Sequence, residues 1–369
     1  MDPVTTISGI NGLIIYIYNN VKYYFFGDIH GNNKNNCDNF KNCDYFDYQF
    51  KNIKTYGTDC TTIGPLLFKW FEYNDKHKIN TGFYLEKSYK SLIDYQFYDN
   101  LKRENYNTLA TIFSEEMSWL ELTKLLLNKK YNHVDIHNID IRFYNHENII
   151  PFKLKFIDID KLDIYDINIK NDIVNLINLL VLNYKFIINS ILTNSSSQKL
   201  FDFVLSKMKS SLKYQYQYVI KKHNQHKHII SDKLNELLYK NPELYQKIID
   251  FTLSLSEEHM EKIDTKNLND YNTLSDENKL LTLQLYIIYY SNIFTVLSAY
   301  IMDAYVIASL FLNDNEENIV YTGLAHTEIY NLFFKYYLNQ SPVFEYTNTN
   351  KKCITFENLP EYLDINKYR

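Results

Sequence analysis

Glycine and proline are scarce in this chain, with eight and six in 369 residues. Few breakers exclude a sandwich of many short, tightly turned strands and favour long helices. There is no basic block either. Net charge is −5 and the pI about 6.1, and the nearest candidates, Lys221-Lys222-His223 and Lys351-Lys352, are ordinary solvated patches. A nucleic-acid footprint is therefore excluded. None of the four cysteines, Cys37, Cys43, Cys60 and Cys353, forms a CxxC pair, so free thiols in a reducing compartment are expected. The first ten residues are polar where a leader would be apolar, and the chain reads as intracellular.

What is abundant is apolar and aromatic. Hydrophobic residues make up 46% and aromatics 16%, with 35 tyrosines, enough to fill a sizeable core and to argue against disorder. Heavy use of Asn, Ile, Lys and Tyr reports an A+T-rich genome rather than a mechanism.

Residues 14–18 and 23–29 are apolar, β-branched or aromatic runs around Asn19-Asn20, which predicts a hairpin or two neighbouring strands. Helical spacing follows over 62–76, with Pro65 tolerated in the first turn. A strand over 81–85 ends in Glu86, and a second helix is expected over 109–128. Ile139, Ile141 and Phe143 alternate in a strand-like stretch over 134–144, which sets Asp140 and Arg142 on its opposite face. A further strand or edge is expected over 153–159.

From 168 to 313 the pattern is almost wholly helical, with candidates at 172–192, 198–222, 230–240, 242–255 and 276–312. Residues 280–302 carry no charge for 23 positions, long enough to span a bilayer; the stretch reads as a buried helix instead. Strand character returns at 319–322, a helix at 327–338 and a last strand at 343–347. The expected fold is α/β, with a mixed or mostly parallel sheet flanked by helices. Residues 1–160 and 313–369 would form a discontinuous core and 161–312 an all-helical insertion, a lobe suited to a protein partner.

Two segments share one form. Gly27-Asp28-Ile29-His30 and Gly323-Leu324-Ala325-His326 are both Gly-x-x-His, and each follows a strand-like run. With Glu86, they give three strand ends bearing metal- or proton-competent side chains, as a site at the carboxyl edge of a sheet requires. Asp28, two residues before His30, faces the same way in extended backbone and can orient the imidazole. Asp140 and Arg142 pair near the sheet edge, as a structural ion pair or as stabilisers of substrate or transition state.

The order GxxH, strand-end Glu, GxxH resembles the superfamily of erythromycin esterases, ChaN-type haem-binding proteins, TraB proteins and Tiki metalloproteases. Gly27, His30, Glu86, Gly323 and His326 match its pattern. The stretches FFGDIHGNNKNNC, HNIDIRFY and IVYTGLAHTEIY resemble proteins of large DNA viruses that carry this domain, which would place the chain in host cytoplasm or a virion. The resemblance implies an α/β core with these residues at one sheet edge. It also implies hydrolysis of a peptide or ester bond in a small-molecule or peptide substrate. His30, Glu86 and His326 would hold a divalent ion (manganese, cobalt or zinc), with Glu86, Asp28, Asp140 and Arg142 as catalytic candidates. One departure stands out: many members carry Glu where this chain has Asp28, one methylene shorter.

Two other readings compete. Gly27-Asp28-Ile29-His30-Gly31 also matches the opening motif of calcineurin-like metallophosphoesterases, and Asn145-His146-Glu147 faintly resembles a second one. The bridging GDxxD and the terminal GHxH of that family are missing. A non-catalytic interaction or virion protein retaining the fold is the other.

Overall fold

The computed structural model describes residues 6–29, 43–47, 52–54, 60–86, 131–139, 167–193, 229–263, 276–351 and 353–355. In chain order the described elements begin with β1 (Thr6–Ser8), β2 (Gly12–Tyr18), β3 (Val21–Asp28), β4 (Tyr45–Asp47), β5 (Asn52–Lys54) and β6 (Cys60–Thr62). Helix α1 (Ile63–His77), β7 (Thr81–Leu85) and β8 (Val134–Asn138) follow. Next come α2 (Ile167–Leu182), α3 (Tyr184–Thr193), α4 (Ile229–Lys240), α5 (Pro242–Glu261) and α6 (Asp276–Leu312). The last are β9 (Glu317–Gly323), α7 (Leu324–Leu332), a π-helical turn (Phe333–Tyr337), β10 (Phe344–Thr347) and β11 (Cys353–Thr355).

The chain divides into two compact units, Met1–Asp140 with Asn313–Arg369, and Ile141–Leu312. The first is mixed α/β. Its six-stranded sheet has the order β10-β2-β3-β9-β7-β8. β3, β9, β7 and β8 run parallel, and β2 and β10 add antiparallel pairs at one side. The β2–β3 hairpin turns on Asn19 and Asn20, both at positive φ, the backbone a two-residue hairpin needs and Asn tolerates. A smaller sheet, β11-β1-β6, and the β4–β5 pair complete the described strands of this unit.

The central strands are apolar on both faces because both are covered by helix. Tyr24 and Phe26 meet Trp70 of α1, at ring-centroid distances of 4.7 and 6.4 Å. On the other face Tyr16, Tyr23 and Phe25 lie 4.6, 5.0 and 5.4 Å from Phe334 in the π-helical turn. β7 joins the α1 layer through Phe83, 5.0 Å from Phe71.

At the amino edge a buried carboxylate ties the layers. Glu317 accepts from Trp70 Nε1 at 2.9 Å, from Asn74 Nδ2 at 2.8 Å and from Lys22 Nζ at 3.2 Å. Three donors satisfy a charge that would otherwise be costly to bury.

In the second unit α4 and α5 pack against α6. Asn241 caps α5, accepting from Leu244 N–H at 3.0 Å, with Pro242 at the first helical position. Thr282–Leu312 is long and apolar enough to cross a membrane, but 72% of its most apolar window is buried, as in a core helix. The single helix expected over 172–192 is two, bent by 67° around Asn183. The Asn183 side chain also donates to the Leu179 carbonyl at 2.8 Å, a local bond that competes with regular helix. The expected helices over 109–128 and 198–222, the strand beyond 139 and that over 153–159 lie outside the described residues.

The free-thiol expectation is corrected. Cys43 and Cys60 form a buried disulfide with Cα atoms 4.5 Å apart, and Cys353 is disulfide-bonded as well. Asp44 N–H donates to the Cys60 carbonyl and Thr62 N–H to the Asp44 carbonyl, both at 2.9 Å. This backbone pairing brings two cysteines 17 residues apart within bonding reach. Disulfides persist in oxidising surroundings, so the cysteines lend no support to an intracellular location.

Candidate functional site

Because β3, β9 and β7 are parallel neighbours, their carboxyl ends share one edge. Asp28 pairs with Gly323 and Leu85 with Tyr321. Glu86 extends the β7 ladder by donating its N–H to the Tyr321 carbonyl at 2.9 Å. β9 then passes directly into α7, so His326 sits in the first turn of that helix.

Glycine at 27 is needed by contact, not by torsion. A Cβ there would lie 2.7 Å from Leu324 Cδ1 and 3.1 Å from Leu324 Cα. Gly12, its partner across the hairpin, also faces Leu324 Cδ1, at 2.8 Å. The start of α7 therefore seats on a two-glycine floor. Behind it, Tyr16 OH donates to Asn331 Oδ1 at 2.6 Å, and Asn331 Nδ2 donates to Glu345 Oε1 at 2.9 Å. Lys335 Nζ bonds both Glu345 oxygens, at 3.0 and 2.9 Å. Burial, reinforced by the Glu345 and Glu328 carboxylates, pushes the Tyr16 hydroxyl well above its ordinary value and keeps it a donor.

Glu86 and His326 meet. Glu86 Oε2 accepts the Gly323 N–H at 2.7 Å, and Oε1 lies 3.4 Å from His326 Nε2. Both side chains are almost fully buried. The Gly323 amide, at the start of α7, fixes the carboxylate's orientation and favours its charge. At 3.4 Å the second contact is long for a hydrogen bond. It lies within ion-pair range, and two ligands of one divalent ion with bonds of about 2.1 Å would be separated by a similar distance, roughly 3.4 Å. Among the described residues no group of three or more His, Cys, Asp and Glu is arranged to hold a metal.

The other expected residues divide in two. Asp28 is described: strand alternation puts it on the Phe26 side, towards α1, whereas Gly27 faces Leu324. It closes β3 beside Gly323, on the opposite side of the sheet from α7, against which Glu86 is engaged. His30, Asp140 and Arg142 lie outside the described residues.

The sequence reading missed Asn11. It is 2% exposed and accepts the Ile29 N–H through Oδ1 at 2.8 Å. Its signal was a lone Asn beside Gly12 in the otherwise apolar run over residues 10–17.

No family model, curated protein or solved structure matches the chain.

Proposed function

We propose that this chain is a divalent-metal-dependent hydrolase of peptide or ester bonds, with His30, Glu86 and His326 as the ion's protein ligands. The observation that supports it most is the buried Glu86–His326 pair, 3.4 Å apart, with the second carboxylate oxygen held by Gly323 N–H. A bound ion of this kind supplies a water of lowered pKa and polarises a substrate carbonyl. Within the chain, the Gly323 amide orients the Glu86 carboxylate through Oε2, with Oε1 towards His326. His326 offers Nε2 from a helix end seated on Gly12 and Gly27. Burial of both keeps the pair dry, which strengthens its hold on a cation. The second unit, on this reading, is a helical insertion in the α/β domain whose surface serves a protein partner.

The test is metal content of purified protein by mass spectrometry, after incubation with manganese, cobalt and zinc. Wild type is compared with His30→Ala, Glu86→Gln and His326→Ala. Near-stoichiometric metal in wild type, lost in all three variants, is expected, and peptidase and esterase assays with that ion follow. Wild type that takes up none of the three ions overturns the proposal.

A further inference from the structure

We infer that Asn11 is a positioning residue for the candidate site, fixing the main chain at Ile29, where β3 ends; this rests on the reading of that site given above. Asn11 lies in the connection from β1 to β2, two residues after Gly9, whose φ of +99° turns the chain. The side chain reaches two other segments. Oδ1 accepts the Ile29 N–H at 2.8 Å, and Nδ2 donates to the Asn348 and Lys351 carbonyls at 2.9 and 3.3 Å. Its backbone does the same: its N–H donates to the Gly27 carbonyl at 2.8 Å, and its carbonyl accepts the Asn348 N–H at 2.7 Å.

The place of these bonds distinguishes Asn11 from a core filler. The β3–β9 ladder ends at the pair Asp28–Gly323, so Ile29 N–H belongs to no sheet pairing. Asn11 satisfies that amide and carries the order of the sheet one residue further, to the residue directly before His30. The same side chain holds the connection between β10 and β11 by two of its carbonyls. Only a group that accepts at one atom and donates at another can do both, which a carboxamide does and a carboxylate or an alkyl chain does not. A ligand leaving a strand end needs its main chain fixed to well under an ångström if it is to meet partners from other strands.

The experiment compares wild type, Asn11→Ala and Asn74→Ala in the full chain. Asn74 is a matched control: fully buried, bonded to Thr81 Oγ1 and Glu317 Oε2 at 2.8 Å each, at the opposite edge of the same sheet. Two quantities are read: affinity for zinc and manganese by calorimetry, and exchange of the Ile29 amide by NMR. Asn11→Ala is expected to weaken metal binding at least about tenfold, the usual cost of losing an outer support, and to speed Ile29 exchange. Asn74→Ala should lower the melting temperature comparably and leave affinity within about twofold, because additivity holds between distant sites. Equal loss of affinity in both variants, or unchanged affinity in Asn11→Ala, overturns the inference. If wild type binds neither of these ions, nor cobalt, the hydrolase reading fails by itself and the amide decides the rest. Ile29 exchange that is slow in wild type and faster only in Asn11→Ala supports the positioning role. Exchange at the free-chain rate in wild type overturns it, whether or not either variant folds.

Discussion

The carboxylate of Glu317 accepts the indole N–H of Trp70 at 2.9 Å across 247 residues of sequence. It ties the first helix of the α/β unit to the strand that completes the central sheet. Asn74 and Lys22 bond the same carboxylate, so it holds helix, hairpin and central strand together at the amino edge.

Glu317→Ala leaves the Trp70 and Asn74 donors without this acceptor in a dry site. The expected loss of stability is about 2–4 kcal/mol, read by urea denaturation. Glu317→Gln, which keeps one acceptor oxygen, should lose less. A loss under about 0.5 kcal/mol for the alanine variant, the level of an ordinary surface substitution, would contradict the network.

Gly27→Ala should cost about 1–3 kcal/mol, because the new methyl group would sit 2.7 Å from Leu324 Cδ1. It should also disturb His326, two residues further along α7. Leu324→Ala in the same chain removes the nearest obstructing atom, though not Thr327 Oγ1 at 3.0 Å, so a double-mutant cycle should show coupling. Additive effects would mean that α7 does not seat on Gly27.

Reduction of the Cys43–Cys60 disulfide, or Cys43→Ser with Cys60→Ser, frees a loop of 17 residues. The chain-entropy model puts this at about 3 kcal/mol. The midpoint of denaturation should fall in the double variant, which should then no longer respond to reductant at this pair. Mass mapping of the oxidised protein checks the pairing.

The region was read from sequence as a place for free thiols because spacing alone carries no distance. Cys43 and Cys60 come together only through backbone pairing of Asp44 with Cys60 and Thr62. The same limit hid β1, β6 and β11. Each is three residues long, and Ile7 finds its partners at Thr61 and Ile354, too far off for any local pattern to register. Of the strands that were legible, β2, β3, β7 and β9 are apolar on successive residues, which marks burial on both faces whatever the partner.

His259 gives the second unit a pH dependence. Burial, with the Lys262 cation beside it, lowers the imidazole below its ordinary value, against a backbone hydrogen bond at Ile293 that acts the other way. The unfolded chain therefore binds the proton more tightly than the folded one. Stability from this group is complete above about pH 6.5 and is lost as the pH falls from there through the folded value. Urea midpoints at pH 7.5 and 5.5 should differ in wild type and converge in His259→Phe, which keeps the ring against Tyr300.

At the site itself, sequence order showed that Glu86 and the two Gly-x-x-His segments end strands. It did not show that β9 lies between β3 and β7, nor that the Gly323 amide takes one oxygen of Glu86. Both facts depend on register, which is set by packing of whole strands.

The position of β9 also has a consequence for how the molecule is made. The ribosome releases β2, β3, α1, β7 and β8 early, and the strand that joins them follows more than 170 residues after β8. Until then β3 and β7 each present an open edge, the kind of surface on which chains pair with the wrong partner. Nascent chains stopped before Glu317 should therefore need chaperone protection that the finished chain does not. Closure of the sheet becomes a late event, slowed by the long separation of its partners.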